Sequence, residues 1–448
     1  MRDARIDLVL TRIEKDPSVI NEVIKNIDNE IRSIRFNSIY VLGELGDKSG
    51  KEAVDKITYC LEDNDWSICR EAARSLGKMG GLAESAASSL KNLTTNEEVT
   101  IRVAAIQALG KIGKASSDSV QSLQNALKDS NEEVRAEAAI SLGLLGPDAF
   151  EAIQELMSSL KDANWNVRTR SAQAISNIGK NSVEAIPTLI NALGDRDWRV
   201  RYRVVNTLTQ IGEASIPYLL EILHHDNKIV RKNAVEALGE LKIANPEVIK
   251  QLSVMLNDKK EEVRGKAADS LRSLGEKSVD ALLNALTDAS TKSKILIISA
   301  LGGIGTEAKD SIPYLSKLLA GNKIRIRVEI VRTLGNIGIY SDEARLALNT
   351  ALKDPKSIVR REAALSLGKF GQTASDAVPS LLDALNDKKP DVRWRSSEAL
   401  GRIKLNTPEV LTRLKSLIHD ECDYVCESAD VAIDNITDTE TDMKFISK

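Results

Sequence analysis

One phrase recurs thirteen times along this chain: a β-branched residue, an arginine, several residues that include small ones, a leucine, and one or two glycines. Val134–Gly146 (VRAEAAISLGLLG) and Val359–Gly371 (VRREAALSLGKFG) are two copies. We call the position of the arginine the slot; it recurs every 33 residues, except for one step of 34 and two of 30. A fixed period in this range predicts a stack of structural repeats, each packed on its neighbours.

Each repeat is predicted to contain two helices. In residues 182–212, apolar residues at helical spacing predict a first helix, helix A, and Val200–Ile211 predicts a second, helix B. A glycine eleven residues after the slot suits a left-handed cap that ends helix B. Another glycine, eight after the slot, costs a helix about 1 kcal/mol relative to alanine, so it indicates close approach of neighbouring helices. The slot residues are Arg35, Cys69, Arg102, Arg135, Arg168, Arg201, Arg231, Arg264, Lys294, Arg327, Arg360, Arg393 and Cys426.

An aspartate stands six residues before the slot in nine repeats, within the predicted turn between helices A and B. A carboxylate in each turn and a guanidinium at the start of each helix B predict a ladder of charge-assisted hydrogen bonds between adjacent repeats. The predicted structural ladder comprises Asp129, Arg135, Asp162, Arg168, Asp195, Arg201, Asp258, Arg264, Asp354, Arg360, Asp387 and Arg393.

Departures from the repeat indicate where the array begins and ends and where its curvature changes. Residues 1–15 precede the first helix A and predict a capping helix, residues 16–437 predict one continuous array, and residues 438–448 predict a short polar tail. Both 30-residue steps lack three residues in the connection from helix B to the next helix A, which predicts a change of curvature around repeats 7 to 9. Lys242 and Lys404 replace the capping glycine at two other junctions.

The DxxWxVRxxAAxALGxIG phrase resembles the PBS-lyase-type HEAT-like repeat, and the resemblance covers nearly the whole chain. It implies an all-α fold, a right-handed α-solenoid (superhelix) of about thirteen two-helix repeats. Proteins of this type include bilin lyase subunits, the hydroxylase that completes hypusine synthesis, adaptors and scaffolds, so the resemblance constrains the fold much more than the activity.

Composition excludes several classes of protein. The formal charge of −3 lacks the net basic footprint of a general nucleic-acid binder, and aromatic residues are only 3% of the chain. Trp66, Trp165 and Trp198 all stand three residues before the slot, which favours a structural role in half-buried turns over ligand stacking.

The start has no signal-peptide core, no apolar run is long enough to insert in a membrane, and four cysteines form no disulfide framework. We therefore expect a cytoplasmic protein.

No residues suggest catalysis, a metal or a cofactor. The hypusine hydroxylase binds iron through His-Glu pairs, and this chain has three histidines and no such dipeptide. His225 and His419 each precede an aspartate, but both lie in turns where aspartate recurs without histidine. His419, Cys422 and Cys426 are too few for a structural zinc site, which needs four ligands, so the cysteines are interpreted as small buried residues.

Partner binding is predicted on helix B. Two residues after the slot, Arg170, Arg203 and Lys266 form a basic segment, in a column that holds Glu71, Glu137, Glu329 and Glu362 in other repeats. Arg199 and Lys232 add to this charge, which would suit an acidic partner. A solvated face with helical salt bridges is the alternative.

An apolar group follows in repeats 9, 10 and 12, where Ile295, Leu296, Val328 and Trp394 replace polar residues. Exposed apolar surface of this kind is typical of partner sites. Packing against a neighbouring helix A is the alternative.

These patterns favour a non-catalytic scaffold or adaptor that binds a protein or peptide, acidic in part, along the helix-B face. The first alternative is an enzyme or enzyme subunit of the bilin-lyase-like group, a lyase or oxidoreductase. The second is nucleic-acid binding through the middle repeats, which the near-neutral charge makes a weak candidate. The sequence leaves the partner and the oligomeric state open.

Overall fold

The computed structural model describes residues 2–113 and 117–446, all of its regular structure is helical, and no strand occurs in this part of the chain. The chain divides into two compact units, residues 1–237 (unit 1) and 238–448 (unit 2). Each unit by itself is an α-solenoid, a stack of two-helix repeats. The division falls inside the helix Lys228–Glu240.

The α-helices up to this division include one terminal helix and the pairs of repeats 1 to 7. They are α1 (Arg2–Lys15), α2 (Val19–Lys25), α3 (Arg32–Leu45), α4 (Lys51–Tyr59), α5 (Trp66–Met79), α6 (Ala87–Leu93), α7 (Val99–Ile112), α8 (Ser117–Ala126), α9 (Glu132–Leu145), α10 (Ile153–Ser159), α11 (Trp165–Ile178), α12 (Ile186–Ala192), α13 (Trp198–Ile211), α14 (Ile216–Glu221) and α15 (Lys228–Glu240).

Unit 2 continues with the pairs of repeats 8 to 13. They are α16 (Pro246–Met255), α17 (Glu261–Ser273), α18 (Val279–Leu286), α19 (Thr291–Ile304), α20 (Ile312–Leu318), α21 (Ile324–Ile337), α22 (Asp342–Ala351), α23 (Ser357–Lys369), α24 (Val378–Ala384), α25 (Pro390–Ile403), α26 (Pro408–Ser416) and α27 (Asp423–Ile446). The last helix continues past Thr437, so the segment predicted as a polar tail is helical up to Ile446, because no proline or glycine interrupts it. Residues 447 and 448 lie outside the described part.

Helix B begins three residues before the slot in each repeat from the second onward, as Trp165 does before Arg168. Its buried stripe includes Val167, Ala172 and Ile175, none of which has any exposed surface. Helix A is shorter, with six to ten residues against 13 or 14 in every helix B before α27. The core of each unit therefore lies between the two helices of a repeat and those of its neighbours.

The helix-B glycines eight residues after the slot have the predicted reason. A Cβ on Gly110 would lie 2.7 Å from the Cα of Ser141 in the next helix B, so only glycine allows this approach. The Ser141 hydroxyl in turn donates to the Ile106 carbonyl across the same contact, at 2.9 Å. Close packing of consecutive helices B is thus confirmed.

The residue eleven positions after the slot usually has positive φ, with Gly338 (φ −101°) an exception, but it rarely adopts the predicted left-handed helical conformation. Gly179 has φ 82° and ψ −145°, a region that essentially only glycine reaches. Lys404 does adopt the left-handed helical conformation, with φ 58° and ψ 30°. Most of these glycines therefore turn the chain into the next connection instead of closing a left-handed cap.

The two shortened connections are also visible. In regular repeats a seven-residue 3₁₀ segment such as Gly179–Ala185 joins helix B to the next helix A. After α13 this segment is Glu213–Ser215, and after α17 it is Gly275–Ser278. The 30-residue steps are therefore shortened in the connections, while both helices B keep 13 or 14 residues.

The predicted ladder forms at pairs of a slot arginine and the aspartate 27 residues after it. We call each Arg–Asp pair between consecutive repeats a rung; its Nε–Oδ2 distance is 2.6 to 2.8 Å. Arg35 and Asp63 form a looser pair at 3.6 Å. The rungs in the described residues include Arg102–Asp129, Arg135–Asp162, Arg168–Asp195, Arg327–Asp354, Arg360–Asp387 and Arg393–Asp420.

Two members of the predicted ladder have no such partner. Arg201 and Arg264 each precede a shortened connection, which reduces the spacing between the slot and the aspartate column to 24 residues. That column holds His225 in one case; in the other it holds Asp288, which receives no bond from Arg264. The prediction was wrong at these two positions because a rung depends on the length of the connection as well as on the two residue types.

Candidate partner-binding surface

The helix-B residues predicted to bind a partner fall into both units. Arg170, Arg199, Arg203 and Lys232 belong to unit 1, on α11, α13 and α15. In unit 2 the candidates are Lys266, Ile295, Leu296, Val328 and Trp394. Each set is described within its own unit.

In unit 1 the basic segment includes two arginines without a carboxylate partner. Arg170 is exposed, and Arg203 is partly exposed with a buried Nε that has no hydrogen-bond acceptor among the described residues. They occupy equivalent positions on consecutive helices B. Their charges are therefore available to a ligand.

The acidic members of the same column do not form an exposed acidic face. Glu71 and Glu362 are buried, with 4% and 5% exposure. Burial on its own would raise the pKa of Glu362, but hydrogen bonds from Arg332 and Arg361 outweigh it and hold the pKa below its usual value. In this column the arginines Arg170 and Arg203 are therefore at least partly exposed, whereas Glu71 and Glu362 are buried.

The apolar group predicted in unit 2 is largely covered. Val328 is buried, with 7% exposure, so the expectation that it is exposed was wrong. Ile295 and Leu296 are only partly exposed. Trp394 packs edge-on against Tyr424 with ring centroids 5.6 Å apart, and the Arg395 guanidinium lies 3.7 Å from its ring centroid. Tyr424 on the next helix B and Arg395 on the same helix thus cover part of Trp394, whereas the packing alternative named a neighbouring helix A.

In unit 1, two exposed aromatic side chains lie one turn apart at the start of α13, beside the start of α11. Trp198 is 65% exposed and Tyr202, one turn later, is 57% exposed. The ring of Trp165 in the preceding repeat stacks with the Arg199 guanidinium, whose carbon lies 3.3 Å from the ring centroid. Trp198 is more exposed than the half-buried role predicted for the tryptophan column. Tyr202 lies outside that column and is also exposed. Sequence reasoning missed Tyr202, whose only signal was an aromatic residue on the polar face of helix B.

We call Trp165, Arg170, Trp198, Arg199, Tyr202 and Arg203 the Trp–Arg surface. Hydrogen bonds fix its geometry: Asp197 accepts the Arg199 N–H at the start of α13 and also binds the Arg199 guanidinium, with Nη2–Oδ2 at 2.7 Å. These bonds and the nearby Arg199 charge hold the pKa of the Asp197 carboxyl at about 2, although burial opposes the shift. A cavity of about 560 Å³ lies beside it, lined in part by Trp165, Arg196 and Asp197. The surface therefore combines apolar area, free positive charge and fixed side chains.

Unit 2 has grooves between consecutive helices A. One of about 760 Å³ lies between α16 and α18, with Ile249, Val254 and Ala281 among its lining residues. Lysines and aspartates, such as Lys250 and Asp280, line it together. This mixture of charges selects no particular ligand.

His225 and Cys69, two of the histidine and cysteine candidates, make structural contacts. The His225 Nδ1 accepts the Asn227 N–H at 2.9 Å, as the aspartates of the column do in other turns. The Cys69 thiol donates to the Leu61 carbonyl at 3.1 Å, and burial raises its pKa. Ligand atoms of Asp420, Glu421 and Cys422 lie within 4.8 Å of one another, but Arg393 already binds both carboxylates.

Among the described residues, no helix combines the length and the apolar character needed to cross a lipid bilayer.

A sequence profile of the HEAT repeats matches residues 20–110, 89–175, 153–228, 216–292, 320–382 and 344–432, which together include most of the chain. No curated protein shows significant similarity to the sequence.

Several solved structures share the fold. The karyopherin Kap121p bound to the extreme C-terminus of the protein phosphatase Cdc14p matches 99% of this chain with a TM-score of 0.61 and 15% identity. Kap121p bound to Pho4p matches 96% with a TM-score of 0.62 and 16% identity. In both comparisons the chain spans only 55% of the length of Kap121p. At this level of identity the similarity concerns the fold.

Proposed function

Because the chain belongs to the HEAT-repeat family, we propose that it is a non-catalytic scaffold that binds a protein or peptide through the helix-B face of unit 1. The observation that carries the proposal is the Trp–Arg surface, where exposed aromatic rings lie near Arg170 and Arg203, which form no ion pair among the described residues. Exposed aromatic and arginine side chains are the residue types that contribute most to protein interfaces.

Charge selects the kind of partner. Arg170 and Arg203 carry unpaired positive charge, whereas the nearby Asp195 and Asp197 are engaged by Arg168 and Arg199. An acidic segment would gain electrostatic attraction and orientation from the two free guanidinium groups. The aromatic rings would supply the contact area from which water is excluded.

Kap121p, of similar fold, has been crystallised bound to the extreme C-terminus of Cdc14p, to Nup53p and to Pho4p. This supports the proposal only to the extent that the fold can present a protein-binding surface. The finer resemblance to PBS-lyase-type repeats supports the lyase-like alternative, for which we identified no catalytic constellation in the described residues. A chromophore retained by the purified protein would favour that alternative.

The test is comparative affinity purification from the native cell. The bait proteins are the wild type, the double variant Trp198→Ser/Tyr202→Ser and a control, Tyr59→Ser/Tyr340→Ser, whose two tyrosines are 79% and 86% exposed and lie outside the Trp–Arg surface. We expect one set of proteins to be retained by the wild type and the control and lost from the first variant. Equal retention by all three baits would contradict the proposed surface.

A labelled oligonucleotide distinguishes the remaining class of partner. Binding that falls steeply with salt concentration, and is lost in Arg170→Glu/Arg203→Glu, would favour nucleic acid over protein. We expect weaker binding to the oligonucleotide than to an acidic peptide of the same formal charge.

A further inference from the structure

The rungs show how the array prepares an arginine to bind a carboxylate. In the rung of repeat 5, the Arg168 Nη1 donates to the Asp162 and Ala163 carbonyls of its own turn at 2.8 and 3.1 Å. Its Nε and Nη2 donate to the two oxygens of Asp195 at 2.7 and 2.8 Å. One half of the guanidinium is thus anchored, and the other half forms the planar fork that matches a carboxylate.

Arg201 has the anchored half and lacks the partner of the other half. Its Nη1 donates to the Asp195 and Arg196 carbonyls at 2.7 and 3.2 Å, as Arg168 does one repeat earlier. No hydrogen bond or ion pair among the described residues involves its Nε or Nη2. The side chain is partly exposed, and neither nitrogen is among the buried atoms without a partner.

The shortened connection after α13 explains why Arg201 meets no aspartate among the described residues. The residue 27 positions after Arg201 is Lys228, within α15, and the aspartate column of repeat 7 holds His225. A neutral His225 ring takes over the aspartate's bond to the backbone by accepting the Asn227 N–H, but it offers no carboxylate to the arginine.

Arg264 also precedes a shortened connection, but its guanidinium is less open to a ligand than that of Arg201. Its side chain is only 11% exposed, its Nε is buried without an acceptor, and Glu261 lies 3.8 Å from its Nη2. A partner could not reach this arginine without moving the repeat. Arg201 is therefore the accessible one of the two arginines that the shortened connections leave without a rung.

We propose that Arg201 binds a side-chain carboxylate of an acidic protein segment, in the geometry that Asp195 adopts at Arg168. The proposal rests on the proposed function and specifies its chemistry. Trp198 and Tyr202 stand three residues before Arg201 and one after it on the same helix, and both are exposed, so an apolar side chain beside the acidic residue has a surface to contact. The segment that fits is acidic, with an apolar residue next to the carboxylate that completes the rung.

The test uses a fluorescein-labelled decapeptide of glutamate and leucine with blocked termini, so that only side-chain carboxylates are present, and a glutamine–leucine peptide as its counterpart. Fluorescence polarisation measures binding to the full chain. We expect Arg201→Gln to weaken binding of the glutamate peptide about tenfold or more, since a charge-assisted hydrogen bond contributes at least 1.4 kcal/mol, which is about tenfold in Kd. The control Arg325→Gln removes an exposed arginine of α21 and should change Kd less than about twofold.

A second measurement needs no variant. Phenylglyoxal modifies accessible guanidinium groups, and peptide mass spectrometry identifies the modified arginines. We expect Arg201 to react, Arg168 to resist because Asp195 occupies its fork, and the glutamate peptide to protect Arg201. An Arg201 that resists modification in the free protein would overturn the proposal.

The outcomes separate this inference from the proposed function. If Trp198→Ser/Tyr202→Ser loses the peptide while Arg201→Gln binds it as the wild type does, the surface binds partners and the assignment of Arg201 is wrong. If the glutamate and glutamine peptides bind equally, or neither binds, the carboxylate assignment is wrong whatever the affinity purification shows. Displacement of the peptide by less inorganic phosphate than acetate would assign the fork to a phosphate instead.

Discussion

Repeats 3 to 6 of unit 1 and repeats 8 and 9 of unit 2 have the same two helices but are held together differently. In the first group, Arg102, Arg135 and Arg168 each bind an aspartate of the next repeat at 2.7 or 2.8 Å. In the second, Arg264 has no such rung, and Lys294 replaces the next arginine. Charge-assisted bonds between repeats are therefore local features that can be lost without losing the stack, because packing of the helices carries the fold.

Helix starts differ between repeats 4 to 6 and repeat 8. Asn131, Asn164 and Asp197 begin the helices B of repeats 4 to 6, and their side chains accept N–H groups of the first turn. Lys260 occupies this position in repeat 8 and makes no such bond. Repeats 4 to 6 thus have the capped helix starts that repeat 8 lacks, and the following predictions test how much close helix contacts, rungs and caps contribute to stability.

The largest effect is expected for alanine in place of the helix-B glycines. Gly110→Ala should destabilise the protein by about 3 kcal/mol, since the new Cβ would lie 2.7 Å from the Ser141 Cα and the helices must separate. Gly265→Ala in α17 should instead stabilise by about 1 kcal/mol, because no atom lies within 4 Å and alanine favours helix. Urea denaturation monitored by circular dichroism measures both changes, and equal signs would contradict the packing argument.

Loss of a rung should have the next largest effect. Arg168→Ala should lower the free energy of unfolding by about 2 kcal/mol, because it leaves the largely buried Asp195 carboxylate without its bidentate partner. Arg264→Ala should cost about 1 kcal/mol or less, since it breaks no rung. The same denaturation experiment compares them; if the two variants unfold alike, the rungs do not stabilise the regular repeats.

Acid should weaken the regular repeats through their carboxylates. Burial on its own would raise the pKa of Asp162, but hydrogen bonds from Arg135 and from the Asn164 N–H hold it below the usual 3.8. A lowered pKa in the folded state adds stability above the unfolded value, and this stability is lost as pH falls through the folded value.

The free energy of unfolding should therefore fall between about pH 5 and about pH 3, and fall less in Asp162→Asn than in the wild type. The matched variant Asp288→Asn removes a carboxylate that Arg264 does not bind. Stability curves measured at several pH values should separate the two variants, and parallel curves would count against the rung as the acid-sensitive element.

The smallest effect concerns the helix starts. Lys260→Asn should stabilise the protein by about 1 kcal/mol, because the lysine has extended backbone angles, φ −106° and ψ 132°, that suit a capping asparagine. Asn164→Lys should destabilise by a similar amount, since it removes the bond to the Asn166 N–H. Thermal denaturation of the two variants measures both effects, and shifts in the same direction would show that capping does not distinguish the regions.

Much of the fold follows from the sequence, because its signals are local and repeated. The 33-residue period, the helix pairs and the missing residues before Ile216 and Val279 were all predicted from spacing, since helix formation and connection length depend on neighbouring residues. The match to the HEAT repeats confirms the repeat class, whereas the PBS-lyase label remains a resemblance. The close approach of neighbouring helices at glycines such as Gly110 also followed from the sequence, because few other reasons justify glycine within a helix, whereas Ser141 as the residue in contact did not.

Only the tertiary structure shows which of the repeated side chains have a partner and which are exposed. Arg168 and Arg201 have equivalent positions in the repeat phrase, yet only Arg168 meets an aspartate, because a rung requires two groups from different repeats to approach within 3 Å. In the same way, Val328 is buried although the sequence favoured an exposed side chain, and Trp198 is 65% exposed although the sequence favoured a half-buried turn. A periodic pattern determines the position of a residue on its helix. The length of the connections and the size of the neighbouring residues determine what its side chain contacts.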